Sequence, residues 1–191
     1  MKPALLIAVL FGAVGAGPAA AQETAVPARF AWFDYRGEDG GALPAGQYRN
    51  PILAGYYPDP SIVRVGRDYY LVNSTFAWFP GIPIWHSRDL VTWRQIGNAI
   101  DRQDQLDFAG ITMSSGVFAP AISYHAGRFY IANTCVRCGG NFVITATDPA
   151  GPWSRPAWLP SVEGIDPSLF FDDDGRAWLI NNREPAGGSR Y

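Results

Sequence analysis

DPSIVRVGRDYYL (Asp59–Leu71), APAISYHAGRFYI (Ala119–Ile131) and DPSLFFDDDGRAWL (Asp166–Leu179) lie over one another. Each runs x-Pro-small-aliphatic, then strand residues, then Gly-Arg, then an aromatic followed by an aliphatic. The Gly-Arg pairs are Gly66-Arg67, Gly127-Arg128 and Gly175-Arg176. A β-branched or aromatic run, a turn placed at glycine and a second such run predict a β-hairpin. A second similarity follows the first two copies. IWHSRDLVTW (Ile84–Trp93) and VITATDPAGPW (Val143–Trp153) each read as a strand, an aspartate turn and a closing tryptophan. Two hairpins per copy predict about four strands in roughly 50 residues, the size of a propeller blade. A β-sandwich has no reason to repeat at this interval, so the fold expected is an all-β propeller.

Working outward, residues 50–191 hold two such units and the first hairpin of a third. Propellers typically need about four blades to close, and an open array leaves strand edges and an apolar face uncovered. The segment is therefore expected to be a partial propeller of about two and a half blades. Residues 22–49 read as an N-terminal extension and linker, in which Phe30–Tyr35 is expected to pair as an edge strand. Residues 1–21 read as a secretory signal: Lys2, an apolar run from Ala4 to Val14, and Ala19-Ala20-Ala21 before Gln22. Export to the periplasm or the extracellular space is expected, with no membrane insertion once the signal is removed. The formal charge of −2 grows more acidic by one when Lys2 leaves with the signal. That balance argues against nucleic acid as a partner, because such binders show a basic patch or stripe.

Cys135 and Cys138 are the only cysteines. In an oxidising compartment a C-x-x-C pair is best read as a local disulfide, with free thiols the next alternative. Zinc comes last, since it needs two more ligands and His86 and His125 stand in unrelated segments. No metal site is expected within the chain.

Repeat symmetry predicts where chemistry gathers. Equivalent points of every blade lie at one distance from the channel, so Asp59 and Asp166 are expected to approach each other although far apart in sequence. The middle copy carries Ala119 there, so the strand start does not itself require a carboxylate. Paired carboxylates suit glycosidic bond cleavage, and like-charge repulsion can hold one group protonated. Phe76, Trp78, Phe79 and Phe118 flank the repeat strands and are candidates for a sugar-binding wall.

The segments NPILAGYYPDPSIVRVGRDYYLVNSTFAWFPGIPIWHSRDLVTW (50–93), SSGVFAPAISYHAGRFY (114–130), GGNFVITATDPAGPW (139–153) and GIDPSLFFDDDGRAW (164–178) resemble, in order, the opening of glycoside hydrolase family 43. The resemblance is greatest to its β-xylosidase and α-L-arabinofuranosidase members. It implies a five-bladed propeller, an inverting mechanism, and a xylo- or arabino-oligosaccharide as the substrate. By motif, Asp59 is implied as the general base. Asp166 is implied as the carboxylate that tunes and orients the general acid, and Phe76 and Phe118 as lining the sugar pocket. The family's acid is a glutamate in a later motif with no match before Tyr191. Glu163 and Glu184 lack its context and read as loop residues. The His-linked ion site of the family also has no match, so no cofactor is expected within this chain, and a structural or channel ion is left as an option for the full-length protein. A non-catalytic sugar-binding propeller fragment is the alternative. A sucrose- or fructan-cleaving relative ranks last, because Tyr57-Pro58-Asp59-Pro60-Ser61 departs from the N-D-P-N pattern of that group.

Overall fold

The computed structural model describes residues 43–184, and the expected signal at 1–21, the expected edge strand at 30–35 and most of the expected extension lie outside them. Among the described residues there are eleven strands and no helix. The first repeat unit forms β1 (Ser61–Val65), β2 (Asp68–Val72), β3 (Gly81–Ser87) and β4 (Arg94–Ile100), an antiparallel meander in the order β1-β2-β3-β4. The second forms β5 (Gly116–Val117), β6 (Ala121–His125), β7 (Arg128–Val136), β8 (Gly140–Ala146) and β9 (Ala157–Trp158). Here β7 pairs along one edge with β5 and then β6, and on the other with β8, which pairs with β9. The third unit is the hairpin of β10 (Ile165–Phe171) and β11 (Ala177–Asn182).

The repeat is visible in the turns. Asp89 Oδ1 accepts from the main-chain N–H groups of Val91 and Thr92 at 2.9 and 2.7 Å, and Trp93 Nε1 donates to Leu90 O at 3.0 Å. In the second unit Asp148 Oδ1 accepts from Ala150 N at 2.9 Å and Trp153 Nε1 donates to Pro149 O at 3.2 Å. The tryptophan closes the aspartate turn through its indole in both cases, just ahead of the last strand of the unit. Hydrogen bonds to the ionised form, those from the Thr92 and Val91 main chain first, hold the Asp89 carboxyl well below the usual range.

The first strands of the units stand side by side, β1 against β6 and β6 against β10. Ser61 Oγ accepts from Ile122 N at 3.1 Å, joining β1 to β6 directly. The alternation of β1 turns Val63 and Val65 into the core, where Val72, Ile84, Ile100, Val117, Ile131, Phe142 and Ile144 are fully buried. Each such side chain contributes about 1.5–3 kcal/mol of hydrophobic stabilisation. His125 stacks on Phe171 with ring centroids 4.5 Å apart, seating the third hairpin on the second sheet. The opposite face of that hairpin leaves Phe170, Trp178 and Ile180 exposed, as Ile62 is on β1. Cys135 and Cys138 form a disulfide that spans the β7–β8 turn, so these cysteines are no zinc half-site.

Candidate active site

Both aspartates that the repeat singles out sit where the strand begins and the backbone departs from strand geometry. Asp59 precedes β1 with φ +51°, and Asp166 lies in β10 with φ +56°. The pairing register of β10 with β11 shifts between Ile165 and Ser168, which leaves Asp166 in a bulge. Left-handed backbone costs a non-glycine residue about 1–2 kcal/mol, least for Asp and Asn, and bulges re-aim side chains. Ala119, the matching residue of the second unit, has no positive φ. The unusual backbone thus goes with the carboxylate and not with the repeat.

The charge of the first carboxylate is felt at the second. Burial, and after it the Asp59 charge, push the Asp166 carboxyl above its ordinary pKa, while a hydrogen bond from the Ala119 main chain opposes the shift. Both residues keep solvent access. Ser74 Oγ donates to Asp59 Oδ2 at 2.5 Å, and Ser74 N donates to Pro58 O at 3.1 Å. Thr134 Oγ1 accepts from Asp166 N at 3.1 Å.

Phe76 and Phe118 meet edge to face with centroids 5.5 Å apart. Their approach is made by main chain: Phe76 N donates to Val117 O at 2.8 Å and Val117 N returns to Phe76 O at 2.9 Å. Phe76 itself has φ +49°. Gly116, at φ +90°, permits this crossing, because a Cβ there would stand 2.2 Å from Phe76 O. A pocket of about 330 Å³ is lined by Tyr56, Tyr57, Ser74, Thr75, Trp78 and Pro83, of which Ser74 is the donor to Asp59. Trp78 therefore faces this pocket, whereas Phe79 pairs with Phe108 at 5.9 Å. Glu163 is solvated, 3.5 Å from the exposed Arg183. His86 meets Asp68 at 2.7 Å on the first sheet, and His125 lies on the second.

The sequence reading missed one recurring element. Two residues past the aromatic–aliphatic pair the copies read Asn73-Ser74, Asn133-Thr134 and Asn181-Asn182. Asn73 Nδ2 donates to Tyr57 O and Pro58 O at 3.0 and 3.2 Å, and Asn133 Nδ2 to Phe118 O at 2.7 Å. Asn181 Nδ2 donates to Glu163 O. Each asparagine ties down the segment that enters the first strand of its own unit. The signal was available: the repeat needed only to be extended by two positions.

Residues 48–190 match the family model described as glycosyl hydrolases family 43. A xylosidase/arabinosidase of Butyrivibrio fibrisolvens is 55% identical over 144 residues, 74% of this chain and 28% of that protein. A xylan 1,3-beta-xylosidase of Vibrio sp is 50% identical over 141 residues, 70% of this chain and 26% of that one. The solved structure of a GH43_12 protein retrieved from capybara gut metagenome superposes with a TM-score of 0.70 at 50% identity, covering 78% of this chain and 29% of its own. The chain thus spans 26–28% of the length of the two relatives.

Proposed function

The chain belongs to glycosyl hydrolase family 43, and from that premise we propose that it carries part of an inverting, exo-acting β-xylosidase or α-L-arabinofuranosidase. In this assignment Asp59 is the general base. Its Oδ2 is engaged by Ser74, and the other oxygen takes the proton of the attacking water. Asp166 is the carboxylate that raises the pKa of the general acid by like-charge repulsion and orients it. Phe76 and Phe118 form the wall of the sugar pocket. The observation that carries the proposal is that Asp59 and Asp166, of equivalent repeat position, both stand in left-handed backbone, which Ala119 does not share, with the Asp59 charge among the causes that raise the Asp166 pKa.

Glu163 and Glu184 lack the context of the family's acid motif, so the acid is assigned to a segment of the whole protein beyond Tyr191. The array is assigned to a five-bladed propeller. The exposed faces at Ile62 and at Phe170, Trp178 and Ile180 support further blades against both. Export is assigned from the signal-like residues 1–21.

The test is made on the whole protein that the native host exports, captured with an antibody to this chain and sized. Fluorogenic xyloside and arabinofuranoside are the probes, and NMR reads the anomer first released. Turnover with inverted configuration is expected, and the faster substrate decides between the two sugars. Retained configuration would overturn the mechanism. Saturable xylo-oligosaccharide binding without product would favour a sugar-binding propeller, a second reading supported by a pocket lined by Tyr56, Tyr57 and Trp78.

A further inference from the structure

Asp166 occupies a strained backbone position that needs something to hold it. A pair of buried polar residues on the second sheet does so, although neither touches the Asp166 carboxylate. Thr134 and Asn141 face each other across β7 and β8, each only 2% exposed. The Thr134 hydroxyl donates to Asn141 Oδ1 at 2.5 Å. A hydroxyl has one proton, so its oxygen is left to accept, and what it accepts is Asp166 N–H at 3.1 Å. Asn141 Nδ2 in turn donates to Val162 O at 2.8 Å and Gly164 O at 3.0 Å. The asparagine thus has its oxygen and both amide protons engaged. Three main-chain groups of residues 162–166 are thereby tied to one cross-strand pair. The segment has no room to relax on its other side: Gly164 sits at φ +93°, and a Cβ there would lie 2.1 Å from Asn182 O.

We infer that Thr134 and Asn141 are positioning residues for Asp166, a buried buckle that holds the second carboxylate of the site from the neighbouring repeat unit. The inference rests on the role proposed for Asp166. It is not a by-product of the repeat, because Ser74, the equivalent of Thr134, spends its hydroxyl on the Asp59 carboxylate of its own unit. Thr134 reaches instead to the main chain of the next unit. Among the described residues the partners of its hydroxyl are Asn141 and the Asp166 main chain.

The experiment compares Thr134→Val, Thr134→Ser and Asp166→Asn in the whole protein encoded by the natural gene, with thermal unfolding to establish that each is folded. Valine keeps the shape and removes the hydroxyl, whereas serine restores it. Thr134→Val is expected to lower kcat about 10- to 100-fold with KM little changed, as a small misplacement of a catalytic group does. Thr134→Ser is expected to return kcat to within about threefold of the parent, and Thr134→Val made in the Asp166→Asn background to add less than about twofold. Amide hydrogen exchange of residues 162–168, which needs no turnover, should rise in the valine variant and not in the serine variant. If valine prevents folding, Asn141→Ala carries the same expectations.

Parent kcat together with parent exchange in Thr134→Val would overturn the buckle. So would a serine variant as poor as valine, or an undiminished effect in the Asp166→Asn background. Full turnover in Asp166→Asn alone would instead remove the role of Asp166, and the buckle's with it.

Discussion

Asp59 and Asp166 occupy the same place in two copies of one repeat, share left-handed backbone, and are secured in different ways. The hydroxyl that follows the recurring asparagine grips Asp59 by its carboxylate, through Ser74, and Asp166 by its main chain, through Thr134. The Asp59 carboxylate is therefore held by a side chain of its own unit, whereas the Asp166 carboxylate is met by the Ala119 main chain of the unit before it. Burial and then the Asp59 charge raise the pKa of the second carboxylate, and the Ala119 main chain opposes that shift. Identical scaffolding with different attachments is a physical route to unlike roles for like residues: a base needs a fixed, ionised oxygen, and a modulator needs its charge felt by its neighbour.

The sharpest way to break the comparison is to remove the charge from Asp59. Asp59→Asn in the whole protein should cut kcat by about 10²- to 10⁴-fold, the usual worth of a general base, with the unfolding temperature little changed. Parent turnover in that variant would leave Asp59 as a capped turn residue and dissolve the contrast with Asp166.

Next in size is the frame that both sites share. Gly116→Ala places a methyl 2.2 Å from Phe76 O at φ +90°, so the β5 crossing must open and Phe76 must leave Phe118. About 2–4 kcal/mol of stability should be lost, read by urea unfolding, with a raised KM. Gly127→Ala is the control, since φ there is +79° but the space is open. It should cost only about 1 kcal/mol. Equal losses in the two variants would show that backbone strain, and not the close approach to Phe76, governs position 116.

The hairpins, their glycine turns and the two aspartates were legible in the sequence because each depends on local chemistry repeated at equivalent positions. Proline after a carboxylate, Gly-Arg at the turn and an aromatic-aliphatic return recur on a scale that one unit reports for the next. What was not legible depends on contacts between units. Nothing in SSGVFAP announces that Gly116 lies under Phe76, because the crossing joins Phe76 to Val117, 41 positions away, through main-chain bonds that do not depend on side-chain type. Thr134 and Asn141 read as ordinary polar residues on a strand pair until the third hairpin is seated against them. The tryptophans were read correctly as closing the turn, but that they do so through the indole nitrogen required the geometry.

A smaller effect sharpens the Asp59 side of the comparison. Ser74→Ala removes the donor to Asp59 Oδ2 and leaves the main-chain bond of residue 74 to Pro58 in place. The loss of one charge-assisted hydrogen bond should lower kcat about tenfold without unfolding the protein. No change in kcat would mean that Ser74 only packs beneath the site.

The smallest effect tests the Asp166 side by stability alone. Burial first, and the Asp59 charge second, hold the Asp166 pKa above its ordinary value in the folded protein. A pKa raised by folding means that the native state holds the proton more tightly than the unfolded chain. Its stabilising contribution is complete below the unfolded pKa and is lost as pH rises through the folded one. At neutral pH the ionised Asp166 therefore works against the fold, and Asp166→Asn should relieve it. Because the side chain still meets solvent, the gain is discounted, to an unfolding temperature about 1–3 °C above the parent at pH 7. At about pH 3, below the ordinary carboxylate range, the parent is protonated too and the two temperatures should converge. Scanning calorimetry across that window reads the sign directly. A variant less stable than the parent at neutral pH would mean that the Ala119 hydrogen bond outweighs burial and Asp59 together, and that Asp166 is held by its carboxylate much as Asp59 is.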